Sequence, residues 1–394
     1  MDGDALNEII IPTTNVDRTL PDGSKHSEEL INKSQTFITT AGWKNSFPYD
    51  KLIETLINSL LYPDKYMVMG GTYETPVKEG LLDENFVDKL RLEGTFNEAS
   101  FDREYRSIWS GDAENAYFNS GMIDKARVLA QPEYEFNGRS SKAAYYVIGV
   151  DVGRTQCATE AAVLKVTPQL QGAAIKSLVN IYSIEAEDFE QQAIKIKKLF
   201  FKYKARCCAI DANGVGAGFV DFMTKTQIDP DTGDELPPFG IEGGTHEDVY
   251  EQYKKVKGDN VIKDAMYLIK ANAPINTEAY AYIQTQLGSN KIKLLIDERE
   301  ASAKLMATKM GQKMTPEERN SYLIPFVQTS ILKDQMLNLI EENEGINIIL
   351  KQNNRGIRKD KFSALIYGLY YIKLDERNKQ KRHAHSITDF MFFT

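Results

Sequence analysis

The sequence predicts an α/β protein in which a mixed sheet is flanked by helices. Three observations carry this. Strand-like runs at 145–151, 159–166 and 175–184 follow one another over short loops, the pattern of an antiparallel meander. A helical segment then follows, with Phe189, Ala193, Ile196, Phe200 and Tyr203 recurring on one face. It leads into a fourth run, RCCAID, placed as a crossover strand parallel to the first. Finally, the first and fourth runs each end on an aspartate, Asp151 and Asp211.

Ahead of this pattern, SQTFITTAG (34–42) and YMVMGG (66–71) read as strands. Residues 49–61 read as a helix opened by Pro48, whose fixed φ suits a first helical turn. Strand and helix alternate here too, but the core such a short piece could bury is thin. Residues 82–130 read as helical and polar. Gln131 to Lys142 carries the Pro, Gly, Asn and Ser of a linker. The expected organisation is therefore 1–81, a small α/β piece; 82–142, a helical subdomain and linker; 143–375, the main domain; and 376–394, a charged tail ending in aromatics.

Bulk properties narrow the chemistry. With 42% hydrophobic and 26% charged residues, the chain has the makings of a globular core. No run of about 18 apolar residues suggests a membrane span. The net charge of −8 gives no general basic footprint, so contact with nucleic acid would need local patches. Cys157, Cys207 and Cys208 are too few and too poorly spaced for a disulfide framework. They suit a reducing compartment. Without a CxxC, and with only four histidines, a zinc site is not expected.

A carboxylate leaving an apolar strand is costly unless it caps a turn or meets a cation. Asp151 and Asp211, at the C-terminal ends of neighbouring parallel strands, would meet at the edge where open α/β sheets bind ligands. Asp360 opens a downstream helix whose apolar face includes Phe362, Leu365, Ile366 and Leu369, and it could join them. Close carboxylates repel one another, and an all-oxygen set suits Mg2+ or Mn2+. Two such ions would clamp an in-line displacement at phosphorus. Each aspartate also has a plainer reading. Asp151 and Asp211 suit turns, and Asp360 suits a helix N-cap. Asn213 and Asn354 would position a metal-bound water or a phosphate, or else build turns.

YYVIGVDVGR, CAIDANGVGAGFVDFM and KDKFSALIYGLYY, in this order, resemble the ribonuclease H-like nuclease domain of large terminase subunits, the DNA-packaging motor proteins of tailed bacteriophages and herpesviruses. FDREYRSIWSG resembles that family's segment between ATPase and nuclease. TSILKDQMLNLIEE with NIILKQNN resembles its approach to the last carboxylate, and SQTFITTAG the end of its ATPase domain. The resemblance implies a ribonuclease H-like sheet, with Asp151, Asp211 and Asp360 as catalytic metal ligands for Mg2+ or Mn2+, two ions in all. It implies cutting of double-stranded DNA in the host cytoplasm, with a portal protein and a small terminase subunit as partners.

The sequence departs from the family twice. Where many members carry an acidic residue after the first strand, Cys157 stands, with Glu160 nearby but placed on the next strand. No GxxxxGK[ST] loop occurs, so ATP hydrolysis by this chain alone is not expected. Residues 1–81 would be the remnant of an ATPase domain, in a fragment, a split gene product or a truncated chain, with the ATPase half possibly on a separate chain. Rival readings are another ribonuclease H-like nuclease, a junction resolvase or recombinase, and an inactive docking subunit.

Basic residues offer two groups. Lys351, Arg355, Arg358, Lys359 and Lys361 flank Asp360 and are candidates for the DNA backbone. Lys195, Lys197, Lys198, Lys202 and Lys204 read as the solvated face of their helix. The segment 243–260 reads as a loop or flap. His383 and His385 are too few for a metal site.

Overall fold

The computed structural model describes residues 35–391, apart from 45, 84, 93–97, 110–115, 139–142, 154–156, 171, 186–187, 247–259 and 345–346. The 243–260 flap falls largely outside them. The chain divides into two compact units, Met1–Glu114 and Asn115–Thr394.

In the first unit, helices α1 (Phe47–Leu61), α2 (Glu74–Lys78), α3 (Phe86–Leu92) and α4 (Glu98–Glu104) surround a small aromatic cluster. Phe101 packs against Tyr73 and Tyr105 with ring centroids 5.3 and 5.1 Å apart. Pro48 opens α1 as expected. The two expected strands are not formed. Residues 35–42 and 66–71 are irregular, with Ile38, Met67 and Met69 exposed. Among the described residues of this unit, pairing is limited to a bridge at Trp43.

The second unit holds the sheet. Helix α5 (Ser120–Ala126), capped by the Asn119 side chain, runs into β1 (Arg127–Leu129). Then come β2 (Tyr145–Asp151), β3 (Thr159–Thr167) and β4 (Ile175–Ile184). Helix α6 (Phe189–Tyr203), β5 (Cys207–Asp211) and α7 (Val215–Met223) follow. The hairpin β6 (Gln227–Ile228) and β7 (Glu235–Leu236) precedes β8 (Phe239–Gly244) and β9 (Ile262–Ile269). Next are α8 (Ala273–Gly288), β10 (Ile292–Leu295), α9 (Glu298–Met306), α10 (Lys309–Lys313) and α11 (Pro316–Leu337). The hairpin β11 (Leu339–Glu344) and β12 (Asn347–Gln352) leads to α12 (Asp360–Met391).

Eight strands form one sheet in the order β1-β10-β4-β3-β2-β5-β9-β8. β2, β3 and β4 pair antiparallel, and β5 lies parallel to β2, as the meander and crossover predicted. The meander plus the parallel crossover places this mixed α/β sheet in the ribonuclease H-like class. Residues 115–142 are not a separate subdomain. β1 supplies an edge strand, parallel to β10, and so joins the sheet unit ahead of the expected boundary at 142. The expected 376–394 tail begins inside α12, which runs on to Met391.

Strand parity sorts the core into two layers. Tyr146, Ile148, Val150, Cys208 and Ile210 pack with α6 and α7. Val147, Cys207, Ala209, Ala162 and Leu164 pack with α8, α11 and α12. The adjacent cysteines thus face opposite layers, as alternation predicts. Lys197 departs from the solvated-face reading. It is fully buried, and its ammonium donates to the Lys225 carbonyl at 2.6 Å. Burial brings its pKa down to about 8.

Helix α12 lies directly on β2. A Cβ on Gly149 would stand 2.0 Å from the Ala364 carbonyl oxygen, and one on Gly368 2.7 Å from the Leu164 side chain. Farther along, Asp375 accepts from the Tyr145 hydroxyl at 2.8 Å and pairs with Arg206 at 3.0 Å. Glu376 pairs with the buried Lys176 at 3.1 Å. These contacts fix the helix that carries Asp360 at its first position.

Candidate metal centre

Parity also places the site. Asp151 continues the Val147, Gly149 series on the α12 face, and Asp211 continues Cys207, Ala209 on the same face. Val150 and Ile210 are register partners on parallel strands, so the two carboxylates leave neighbouring strand ends side by side. Strand spacing is about 4.8 Å. Gly149 is two residues before Asp151, and Gly368 eight after Asp360. Their close contact therefore draws the start of α12 toward the strand tips.

The charges of Asp211 and Asp360 both reach Asp151. Burial pushes the Asp151 carboxyl well up. The charges of Asp211, Asp360 and Glu160 add to this, and Lys359 partly offsets it. Burial also raises Asp211, against hydrogen bonds from the Asn213 amide and the Tyr367 hydroxyl. Those bonds are 2.9 and 3.4 Å long. Burial and the Asp211 and Asp151 charges drive Tyr367 upward, so it remains a hydrogen-bond donor. Among the described residues, no hydrogen bond reaches the side chains of Asp151 or Asp360. Asp360 does not cap its helix. The Phe362 amide is instead satisfied by the Gln335 side chain at 3.1 Å.

The plain readings hold elsewhere. Asn213 bonds the Ala271 carbonyl at 3.1 Å and braces the loop after β5. Asn354 builds a turn, bonded by Asn338 and by the Gly356 amide. Cys157 is a half-buried free thiol.

The basic candidates separate. Arg355 and Arg358 are exposed, and Lys359 is half-buried with its charge acting at Asp151. Lys351 is exposed and pairs with Glu342 at 2.5 Å. Lys361 departs from the expected DNA surface. It is buried, and its ammonium bonds Glu160 at 2.6 Å and Ser183 at 2.7 Å. One residue beyond Asp360 on a helix, it points to β3 rather than outward.

Two neighbours of the site were legible only in part. Glu160 is the register partner of Asp151 across the antiparallel β2–β3 pair. Tyr367 lies seven residues after Asp360 and therefore on the same helix face.

Among the described residues, no three or more His, Cys, Asp or Glu side chains stand close enough together to hold a metal ion as they are placed. The donor chemistry suits a hard cation: the charges of Asp211 and Asp360 act at the buried Asp151 carboxyl, and Lys359 partly offsets them. The sign of its pH dependence follows. Raised folded-state pKa values mean that Asp151 and Asp211 favour the fold at low pH, and that this contribution is lost as pH rises through them. A cation bound to the ionised pair would restore it. Millimolar Mn2+ is therefore expected to raise the unfolding midpoint more at about pH 8 than at about pH 5. A shift equal at both would place the ion elsewhere.

No protein-family model matches the sequence, and no curated protein matches it. Among solved structures, the chain is similar to the large terminase nuclease from thermophilic phage G20c with bound magnesium. The identity is 12%, over 65% of this chain and 97% of that one, with a TM-score of 0.37. It is similar to the Thermus phage P74-26 large terminase nuclease domain at 10% identity, over 65% and 94%, with a TM-score of 0.33. These are large terminases, the proteins the motifs resemble. Against the large terminase from another thermophilic bacteriophage, identity is 11% and the TM-score 0.34. That match takes in 86% of this chain but spans only 62% of the other. No helix among the described residues is long and apolar enough to cross a membrane.

Proposed function

We propose that this protein is a divalent-metal-dependent endonuclease that cuts double-stranded DNA, as the nuclease of a viral packaging terminase. The observation that carries this is the placement of Asp151 and Asp211 at the ends of neighbouring parallel strands. Burial, and then the charges of Asp211, Asp360 and Glu160, raise the Asp151 carboxyl. Such a cluster is costly to a fold and useful to a cation.

Asp151, Asp211 and Asp360 would hold Mg2+ or Mn2+. The bound ion would supply charge stabilisation at the scissile phosphate and a more acidic water. Tyr367 donates to Asp211 and fixes its orientation. Lys351, Arg355 and Arg358, on the segment between β12 and α12, offer positive charge beside the site for the phosphate backbone. None of the described residues near the site forms a base-reading element, so cutting would follow backbone shape and position. Partners beyond DNA follow from the terminase reading: a portal protein, a small subunit and an ATPase-bearing chain.

The test is nicking and linearisation of supercoiled plasmid with Mn2+, Mg2+ or EDTA. Cutting should require the metal. Tyr367→Phe should lower the rate about tenfold while leaving the fold unchanged, because it removes an orienting bond and not a ligand. Metal-independent cutting would overturn the reading. A preference for branched over plain duplex would transfer it to the resolvase class.

A further inference from the structure

We propose that Lys361 holds Glu160 out of the metal centre, so that the resting site takes one divalent cation. This rests on the nuclease reading above and deepens it.

Glu160 is placed as a ligand would be. It is the register partner of Asp151, lies on the same sheet face, and its charge acts on the Asp151 carboxyl. Yet both its oxygens are occupied. Oε1 accepts from the Lys361 ammonium at 2.6 Å, and Oε2 from the Ser183 hydroxyl at 2.8 Å. Ser183 also accepts from Lys361 at 2.7 Å, which closes a three-membered ring of bonds. Both charged side chains are almost fully buried, at 6% and 7% exposure. A buried ion pair with its remaining bonds satisfied does not open readily, because separating it strands a charge.

With Glu160 held by Lys361, the carboxylates left for a cation are Asp151, Asp211 and Asp360. Lys361 acts through Glu160, and so it is a positioning residue.

Mn2+ titration of the full chain, followed by the EPR signal of the free ion, counts the ions bound. The wild type should bind one per chain, and so should Lys361→Arg. Lys361→Met frees Glu160 and should bind two. The double variant Glu160→Gln/Lys361→Met removes both charges together, keeps the layer folded, and should return to one. The double variant, which strands no charge, should also keep the wild-type affinity within about twofold. Two ions in the wild type, or one in Lys361→Met, would overturn the proposal while leaving the nuclease reading in place. A tenfold loss of affinity in the double variant would do the same, by making Glu160 a ligand. If Lys361→Met does not fold, the affinity of the double variant still decides it. No Mn2+ binding by the wild type would remove the metal reading itself.

Discussion

Asp151→Asn is expected to abolish metal-dependent nicking, by about a thousandfold or more, and to make the metal-free protein more stable at neutral pH. The two effects share a cause. The Asp151 carboxyl is buried, the charges of Asp211, Asp360 and Glu160 add to the cost of ionising it, and Lys359 partly offsets them. Asparagine keeps the shape and removes the charge. The repulsion goes, and so does the oxygen donor that a hard cation needs. The stabilisation should be largest well above the ordinary aspartate range, where the wild-type group is ionised, and should vanish in acid, where it is protonated. Plasmid nicking with Mn2+, beside thermal unfolding in EDTA at two pH values, reads both. Cutting that survives would locate the chemistry elsewhere. Lost cutting together with a destabilised metal-free fold would make Asp151 a structural turn residue.

Gly149→Ala should be the most damaging single methyl in the sheet. The added carbon would sit 2.0 Å from the Ala364 carbonyl oxygen and 2.7 Å from the Gly368 amide nitrogen, both backbone atoms of α12. No rotamer relieves such a contact, so helix and strand must part. Overpacking of this kind costs roughly 3 kcal/mol or more, a large part of a domain's stability. Gly288→Ala, at the end of α8 with nothing within 4 Å, is the control and should be neutral. Urea midpoints of the two variants decide the matter. A Gly149→Ala protein as stable as the control would show that α12 does not seat against β2 as described. A folded but inactive one would show that the helix had lifted and carried Asp360 with it.

Much of the sheet could be read from the sequence, because its cues are local. The meander, the crossover and the two strand-end aspartates each lie within a short window, and parity then puts Asp151 and Asp211 on one face. Asp360 needed the resemblance, since nothing nearby says where its helix docks. The burial of Lys361 and Lys197 was not legible. Lysine reads as solvated wherever a helix has a polar side, and the Lys361 partner Glu160 lies 201 residues away. The first unit failed for the opposite reason. SQTFITTAG and YMVMGG have strand composition, but composition supplies no neighbour to pair with, and pairing among the described residues of that unit is limited to a bridge at Trp43.

Helix α12 is one continuous rod of 32 residues. Its first residue is a proposed metal ligand. Its seat on the sheet is at Gly368, and its ties to Tyr145, Arg206 and Lys176 are at Asp375 and Glu376, about 22 Å along the axis from Asp360. A rod held at its middle and far side behaves as a lever. A small tilt at the ties becomes a comparable displacement, in the opposite sense, at the tip. The accuracy of the reacting end is thus set by residues that never approach a phosphate, and sequence drift at Tyr145, Arg206 or Lys176 is constrained by chemistry at the other end.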